Sequence, residues 1–276
     1  MRVTRVGGPT VFIALDGWRV LVDPTFDPPG RRYRFAFGTS SVKTLGPTVG
    51  ADERGPFDVI LLSHDHHSDN LDDAGRALLP GAEHIVTTMS GAARLGLPTV
   101  HGLAADDSVV LESAGREPLR ITATPARHGP ALTTRIVGDV IGFRIRRRCH
   151  LRDDVWVTGD TVLTRRLRRV AQHLNVDVAI VNAGGVRFGA TGPLEYTMTG
   201  ADAVALVSEL EPVIAIPAHY DGWSHFRDGE AGMRAAIRDA PASVQARFRW
   251  LPDDGSAVDL TPELEAARSG REGTVR

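Results

Sequence analysis

Short apolar runs alternate along this chain with longer amphipathic stretches, a rhythm that predicts strands alternating with helices and hence an α/β fold. VFIAL and WRVLVD flank Asp16-Gly17, a dipeptide suited to the positive φ angles of a type I′ turn, so residues 11–23 read as a β-hairpin. Further strands are expected at HIVTT (84–88), around SVVLE and LRITATPA, and at VWVTGD (155–160), VDVAIVNAGG (176–185) and VIAIPAHY (213–220). DVIGFRIRR alternates apolar with polar or basic residues from 140 to 147, and its arginines read as the solvated side of a half-exposed strand. Helices are expected at LDDAGRALL, at SGAARLG, and near 161–174, 200–211 and 229–240. Leu163, Leu167, Val170 and Leu174 form one stripe of the first of these last three, with four arginines elsewhere on it. Thr199 with Asp202 makes a capping box for the second. Thr261-Pro262-Glu263 can start a short terminal helix, and fraying is expected after about residue 269.

Residues 24–56 break the rhythm. Pro24, Pro28, Pro29, Pro47 and Pro56 lie there among many glycines, around the basic and aromatic cluster RRYRFAFG. A loop this long is either a functional cover or an irregular surface excursion. The interleaving of Arg31, Arg32 and Arg34 with Tyr33, Phe35 and Phe37 suggests a lid that orders over an anionic ligand.

With 276 residues and no break in composition, the chain reads as one domain, 1–276, with a peripheral tail after about residue 262. Lys plus Arg number 32 and Asp plus Glu 34, a formal net charge of −2 that gives no global footprint for nucleic acid or an anionic membrane. A small-molecule substrate is the expectation, with a homo-oligomer allowed. Cys149 is the only cysteine, so a metal site must use histidine and carboxylate, and a reducing cytoplasm fits. No apolar stretch approaches the roughly 20 residues of a membrane span.

The densest chemistry follows the apolar run DVILL (58–62), where SHDHHSDN holds His64, His66, His67, Asp65 and Asp69. If the segment continues extended, His64 and His66 point to one side and offer two imidazoles to one cation. Other candidates obey the same rule of lying at the exit of an apolar strand: His128 after LRITATPAR, Asp160 after VWVTG, and His219 after VIAIPA. In α/β proteins such exits are where sites are built, because a rigid sheet fixes the strand ends while the loops stay free to vary.

The order of Asp23-Pro24, SHDHHSDN, His128, TGDT (158–161) and PAHY (217–220) resembles the metallo-β-lactamase superfamily, and within it the branch of ascorbate-6-phosphate lactonase and N-acyl phosphatidylethanolamine phospholipase D-like hydrolases. The resemblance implies a four-layer αββα sandwich with a dinuclear site at one edge. Carried across, His64, His66 and His128 would bind the first metal, Asp160 would bridge, and His219 would bind the second. The family's loop, H-x-H-x-D-H, is altered here. Counting from His64 puts Ser68 and Asp69 in its last two places, whereas counting back from Leu71-Asp72 puts Asp69 and Asn70 there, with one inserted residue. Either way a histidine of the second metal is missing. Asp69 is the expected ligand, and His67 replaces His66 if the insertion precedes it. Zinc is expected at the histidine-rich position, with manganese or iron suited to the second.

Asp23 resembles a residue that fixes the tautomer of a ligand histidine, although a turn aspartate before proline reads similarly. The resemblance implies a hydrolase acting through a metal-activated hydroxide on a small anionic ester, lactone or phosphodiester, with Asp69 and Asp160 orienting the hydroxide. His225 is a candidate for oxyanion stabilisation, and Tyr220 and Trp223 for the pocket wall. Arg127 and Arg187 are candidates for an anion clamp. His101, His150 and His173 receive no role. The competing reading is a metal-containing binding or sensor protein whose incomplete second site no longer turns over.

Overall fold

The computed structural model describes residues 1–35, 38–130 and 138–272. Two sheets face each other. The first joins β1 (Arg2–Gly7), β2 (Thr10–Leu15), β3 (Trp18–Val22), β6 (Val59–Leu61), β7 (His84–Thr88), β8 (Val100–Leu103) and β15 (Val258–Asp259), in the order β15-β1-β2-β3-β6-β7-β8. The second joins β9 (Ser108–Leu111), β10 (Leu119–Pro125), β11 (Ile141–Arg147), β12 (Asp153–Val157), β13 (Val176–Asn182) and β14 (Ile214–Ala218), in the order β14-β13-β12-β11-β10-β9.

The hairpin of β2 and β3 forms as expected, with Asp16 and Gly17 at φ 49° and 83°. The pairs β3-β6, β6-β7, β7-β8, β12-β13 and β13-β14 run parallel, which requires crossovers. These carry α1 (Ala51–Arg54), α2 (Asp73–Leu78), α3 (Met89–Leu95), α4 (Arg165–His173) and α5 (Gly200–Leu210), followed down the chain by α6 (Gly229–Arg238), α7 (Ala242–Gln245) and α8 (Thr261–Glu272). Thr199 and Asp202 make the expected capping box of α5. Strands β1, β8 and β15 and helix α7 were not legible in the apolar pattern.

Three apolar layers result. Val20, Leu61, Phe143, Val157 and Ile180 are among the side chains buried between the sheets. Leu21, Ile60 and Ile85 on the outer side of the first sheet pack with Leu71 and Leu79, which flank α2. Trp156, Ala179 and Ala215 on the outer side of the second sheet meet Leu167 of α4, Leu206 of α5 and Met233 of α6. This is an αββα sandwich. Each fully buried large side chain contributes roughly 1.5–3 kcal/mol of transfer free energy, and the buried indoles have partners: Trp18 Nε1 donates to the Glu117 carbonyl at 2.7 Å and Trp156 Nε1 to Thr124 Oγ1 at 3.1 Å. No described helix is long and apolar enough to cross a membrane.

The described residues of the 24–56 segment hold more regular structure than a loop reading implies. They contain a small hairpin of β4 (Arg32–Arg34) and β5 (Ser40–Val42). Lys43, 3% exposed, pairs with the fully buried Asp72 at 2.8 Å, and Tyr33 donates to Asp27 at 2.5 Å. Arg31 pairs with Asp27 and Asp73. Asp72 also caps α2 by accepting from Gly75 N. The segment is thereby pinned to α2 through buried charges, with Arg31 engaged by Asp27 and Asp73 and Arg32 by Ser40. Phe37 of the aromatic cluster lies outside the described residues.

Candidate metal centre

His64 follows β6, His128 follows β10, Asp160 follows β12 and His219 follows β14, and the sandwich brings these strand exits together. The SHDHHSDN segment does not continue extended. It bends from Ser63 onward, with Asn70 N and Leu71 N both donating to the His67 carbonyl, so the alternation that paired His64 with His66 is lost. His67 Nδ1 lies 3.1 Å from His64 Nε2 and 3.1 Å from His128 Nε2. Three ring nitrogens therefore converge. His66 lies to one side with Nδ1 3.6 Å from Asp65 Oδ1, although its nearest nitrogen remains within 4.8 Å of those of His64 and His67.

The far nitrogens of two of these rings are held. His128 Nδ1 donates to the Tyr196 carbonyl at 2.7 Å, and His64 Nδ1 meets Ser63 Oγ at 3.0 Å. The carbonyl only accepts, which fixes the tautomer in which His128 Nε2 presents a lone pair inward, whereas Ser63 Oγ can take either role toward His64. Burial, then the neighbouring imidazoles, push His64 and His67 well below the usual histidine range, and burial lowers His128. All three are neutral at pH 7, the state a metal requires.

Beside them lies an oxygen-rich group. Asp69, Asp160 and His219 offer ligand atoms within 4.8 Å of one another, and so do His64, His128 and Asp160, which makes Asp160 common to both clusters. His219 Nε2 is 3.2 Å from Asp160 Oδ2 and 3.5 Å from Asp69 Oδ2. Asp160 is set by Gly159, whose φ of 62° and approach to the Ile141 carbonyl, 2.6 Å from where a Cβ would sit, exclude a side chain. Its Oδ1 accepts from Asn182 Nδ2 at 2.9 Å. Burial lowers the His219 pKa, but Asp160 and Asp69 outweigh it and the net shift is upward. Burial raises Asp69, but the imidazole of His219 facing it and the hydrogen bond from His225 hold it well below the carboxylate range.

The buried centre leaves Asp69 Oδ1, Asp160 Oδ2 and both His219 nitrogens without hydrogen-bond partners. Such atoms carry a desolvation cost that a cation would relieve. Tetrahedral zinc ligands at ~2.0–2.1 Å lie about 3.3 Å from one another, close to the observed spacings. The donor set fits divalent cations, with imidazole on one side and carboxylate on the other.

Several surrounding residues differ from expectation. Asp23 accepts from Ser63 N at 2.7 Å and Asn70 Nδ2 at 3.3 Å, not from a histidine. His225 Nε2 meets Asp69 Oδ2 at 3.0 Å and its Nδ1 meets Ser41 Oγ at 2.6 Å, so it orients Asp69 and has no ring N–H left free for an oxyanion. Arg187 is paired with Asp228. Arg127 is different: it has no carboxylate partner among the described residues, and with Met89, Leu103, Pro125 and Val140 it lines a cavity of about 320 Å³ against His128. Tyr220 packs on Trp250, and Trp223 joins an aromatic cluster with Tyr33. His101 faces His84, and His150 is bonded to Asp154. Asn182 and the ring of Phe188 were missed by sequence reasoning, whereas Phe35 was expected only as part of a lid. Asn182 ends a strand as Asp160 follows one, and that signal was available; Phe35 packs edge-on to His67, and Phe188 stacks on His225.

The chain is 26% identical over 232 residues to a UPF0173 metal-dependent hydrolase of Thermofilum pendens, covering 82% of this chain and 86% of that one. It is 24% identical to one of Pelotomaculum thermopropionicum, covering 94% and 100%. Among solved structures it resembles isothiocyanate hydrolase from Delia radicum gut bacteria, with a TM-score of 0.77, 19% identity and coverage of 94% and 99%. It also resembles the diiron β-hydroxylase CmlA of Streptomyces venezuelae, with a TM-score of 0.64 and 17% identity, covering 94% of this chain and 54% of that one. These likenesses confirm the metallo-β-lactamase fold. Residues 18–220 match the family described as the beta-lactamase superfamily domain, more than half of the chain, and the protein belongs to that superfamily.

Proposed function

We propose that the protein is a metal-dependent hydrolase of small substrates, with one cation held by His64, His67 and His128 and a second by Asp69, Asp160 and His219. His67 takes the place that the loop pattern gave to His66, and Asp160 is the shared ligand. The observation that carries this reading is the convergence of three neutral ring nitrogens at 3.1 Å spacings beside carboxylate and imidazole atoms with no other partner. Cations bound there lower the pKa of water and polarise a carbonyl or phosphoryl oxygen.

The side chains supply the rest. Asp69, ionised and steadied by His225, is placed to take a proton from water and pass it to a leaving group. His225 is in turn held by Ser41, which makes it a positioning residue. Phe35 and Phe188 keep bulk water from one side of this group. Arg127 suits one anionic group on a substrate whose body rests on the apolar wall of Met89, Leu103 and Val140. An ester or lactone is favoured over a phosphodiester because Arg187, the residue that would have suited a phosphoryl group, is already engaged by Asp228. Zinc suits the three imidazoles, and manganese or iron the oxygen-rich position.

Elemental analysis of tag-free protein, followed by a metal-replenished panel of lactones, carboxyl esters, phosphodiesters and isothiocyanates, tests the proposal. Two bound equivalents with turnover of a lactone or ester are expected. Retained metal without turnover of any panel member would favour the binding or sensor reading, to which Asn70 in place of a histidine lends itself.

A further inference from the structure

We propose that the outer side of β9–β11 around Arg120 and Arg146, at the end of these strands away from α4, is a second ligand site, separate from the metal centre, which takes a small phosphate-bearing anion of nucleotide type. Among the described residues, the apolar cluster beneath α4, α5 and α6 draws on β12, β13 and β14 and on no residue of β9, β10 or β11. β9 is the outermost strand of its sheet. Across this bare region Val110 lies opposite Arg120, and Arg120 opposite Arg146. Two guanidinium groups thus face each other on neighbouring strands, an arrangement that is unfavourable without a counter-ion.

The adjoining residues show how unusual that row is. One step along the strands, Ser108, Thr122 and Arg144 are aligned, and Arg144 is neutralised by Asp153 at 2.8 Å. Arg147 is paired with Asp16 and Asp154. Among the described residues no carboxylate pairs with Arg120, Arg146 or Arg148. These three line a concavity of about 530 Å³ with Glu112, Pro118 and His150, and Glu112 is its only carboxylate. His150 is turned toward Asp154 and Arg147.

The same concavity exposes apolar surface: Leu151 is 98% and Val110 43% solvent-accessible. Planar guanidinium groups on adjacent strands match the oxygens of a phosphate chain. Val110, Pro118 and Leu151 offer a flat base something to rest on. The volume falls within the roughly 300–1,000 Å³ of small-ligand sites. In a chain of net charge −2 this concentration of cations is local, which favours a compact anion over a polymer.

The test is calorimetric titration of the purified protein with magnesium ATP, tripolyphosphate and a short oligonucleotide at about 0.15 M salt, repeated on Arg120→Ser/Arg146→Ser and on Arg148→Ser. The expected result is binding of ATP and, more weakly, tripolyphosphate, with ATP affinity reduced at least about tenfold in the double variant while metal content and far-UV circular dichroism stay unchanged. Arg148→Ser, which leaves β10 and β11 untouched, should weaken ATP as well. Equal ATP affinity in all three proteins, no ATP binding at millimolar concentration, or binding of an oligonucleotide without ATP overturns the proposal. None of these outcomes depends on hydrolytic turnover, so the site stands or falls apart from the proposed function.

Discussion

The two halves of the buried centre solve the problem of presenting ligands in opposite ways. In the nitrogen-rich half, His64, His67 and His128 are kept neutral by burial, so a cation meets lone pairs that need no deprotonation. In the oxygen-rich half, Asp160 and Asp69 hold His219 above its ordinary pKa, so a cation there competes with a proton. On the proposed assignment, the difference teaches that one position would be prepared for metal in advance. The other depends on pH and on the metal offered.

The largest expected effect comes from His64→Ala or His128→Ala. Each deletes one of three imidazoles, and metal at the nitrogen-rich position and hydrolytic activity should both fall to background. Elemental analysis and a turnover assay read both, and full stoichiometry in either variant would break the comparison. The fold should survive, because its core lies between the sheets and does not depend on the ion.

Selective removal of the second cation sharpens the contrast. Mild chelation should extract one equivalent first and take activity with it, and manganese should restore activity at least as well as zinc. Asn70→His should tighten that equivalent about tenfold or more by returning a nitrogen donor; tightening by Asp69→His instead would mean that the inserted residue lies elsewhere in the loop. A pH titration gives the next effect. Because His219 is protonated below its raised pKa, the affinity for the second cation should fall about tenfold per pH unit there, while the first cation is less sensitive near neutrality. Equal pH slopes for both would contradict the assignment.

The smallest effect concerns Asp23, whose pKa is raised from 3.8 to about 7, chiefly by burial and further by the charge of Asp160. A carboxyl with a folded pKa above its unfolded one supports the fold while protonated. That support is complete below 3.8 and is lost as pH rises toward 7. Metal-free protein should therefore lose stability across this window, and Asp23→Asn should flatten the loss, with the unpaired Asn70 Oδ1 free to turn and accept from the new amide. Thermal melts of both proteins across that window measure it, and parallel curves would remove Asp23 from the account.

Much of this architecture was legible because it rests on local signals. Asp16-Gly17 announces a hairpin, and apolar runs ending in His64, His128, Asp160 and His219 mark strand exits on one edge of a sheet. What escaped depends on partners distant in sequence. Tyr33 and Lys43 are held by Asp27 and by Asp72, and His225 is positioned by Ser41 from the far end of the chain. The proposed preference for His67 over His66 rests on a bend. An alternation rule holds only while the backbone stays extended, and the turn closed on the His67 carbonyl ends it.

The most direct test is the metal content of tag-free His66→Ala and His67→Ala beside the unaltered protein. The convergence of His67 Nδ1 on His64 and His128 predicts that His67→Ala loses the tightly held equivalent while His66→Ala keeps it. Loss in His66→Ala with retention in His67→Ala would contradict the proposed centre.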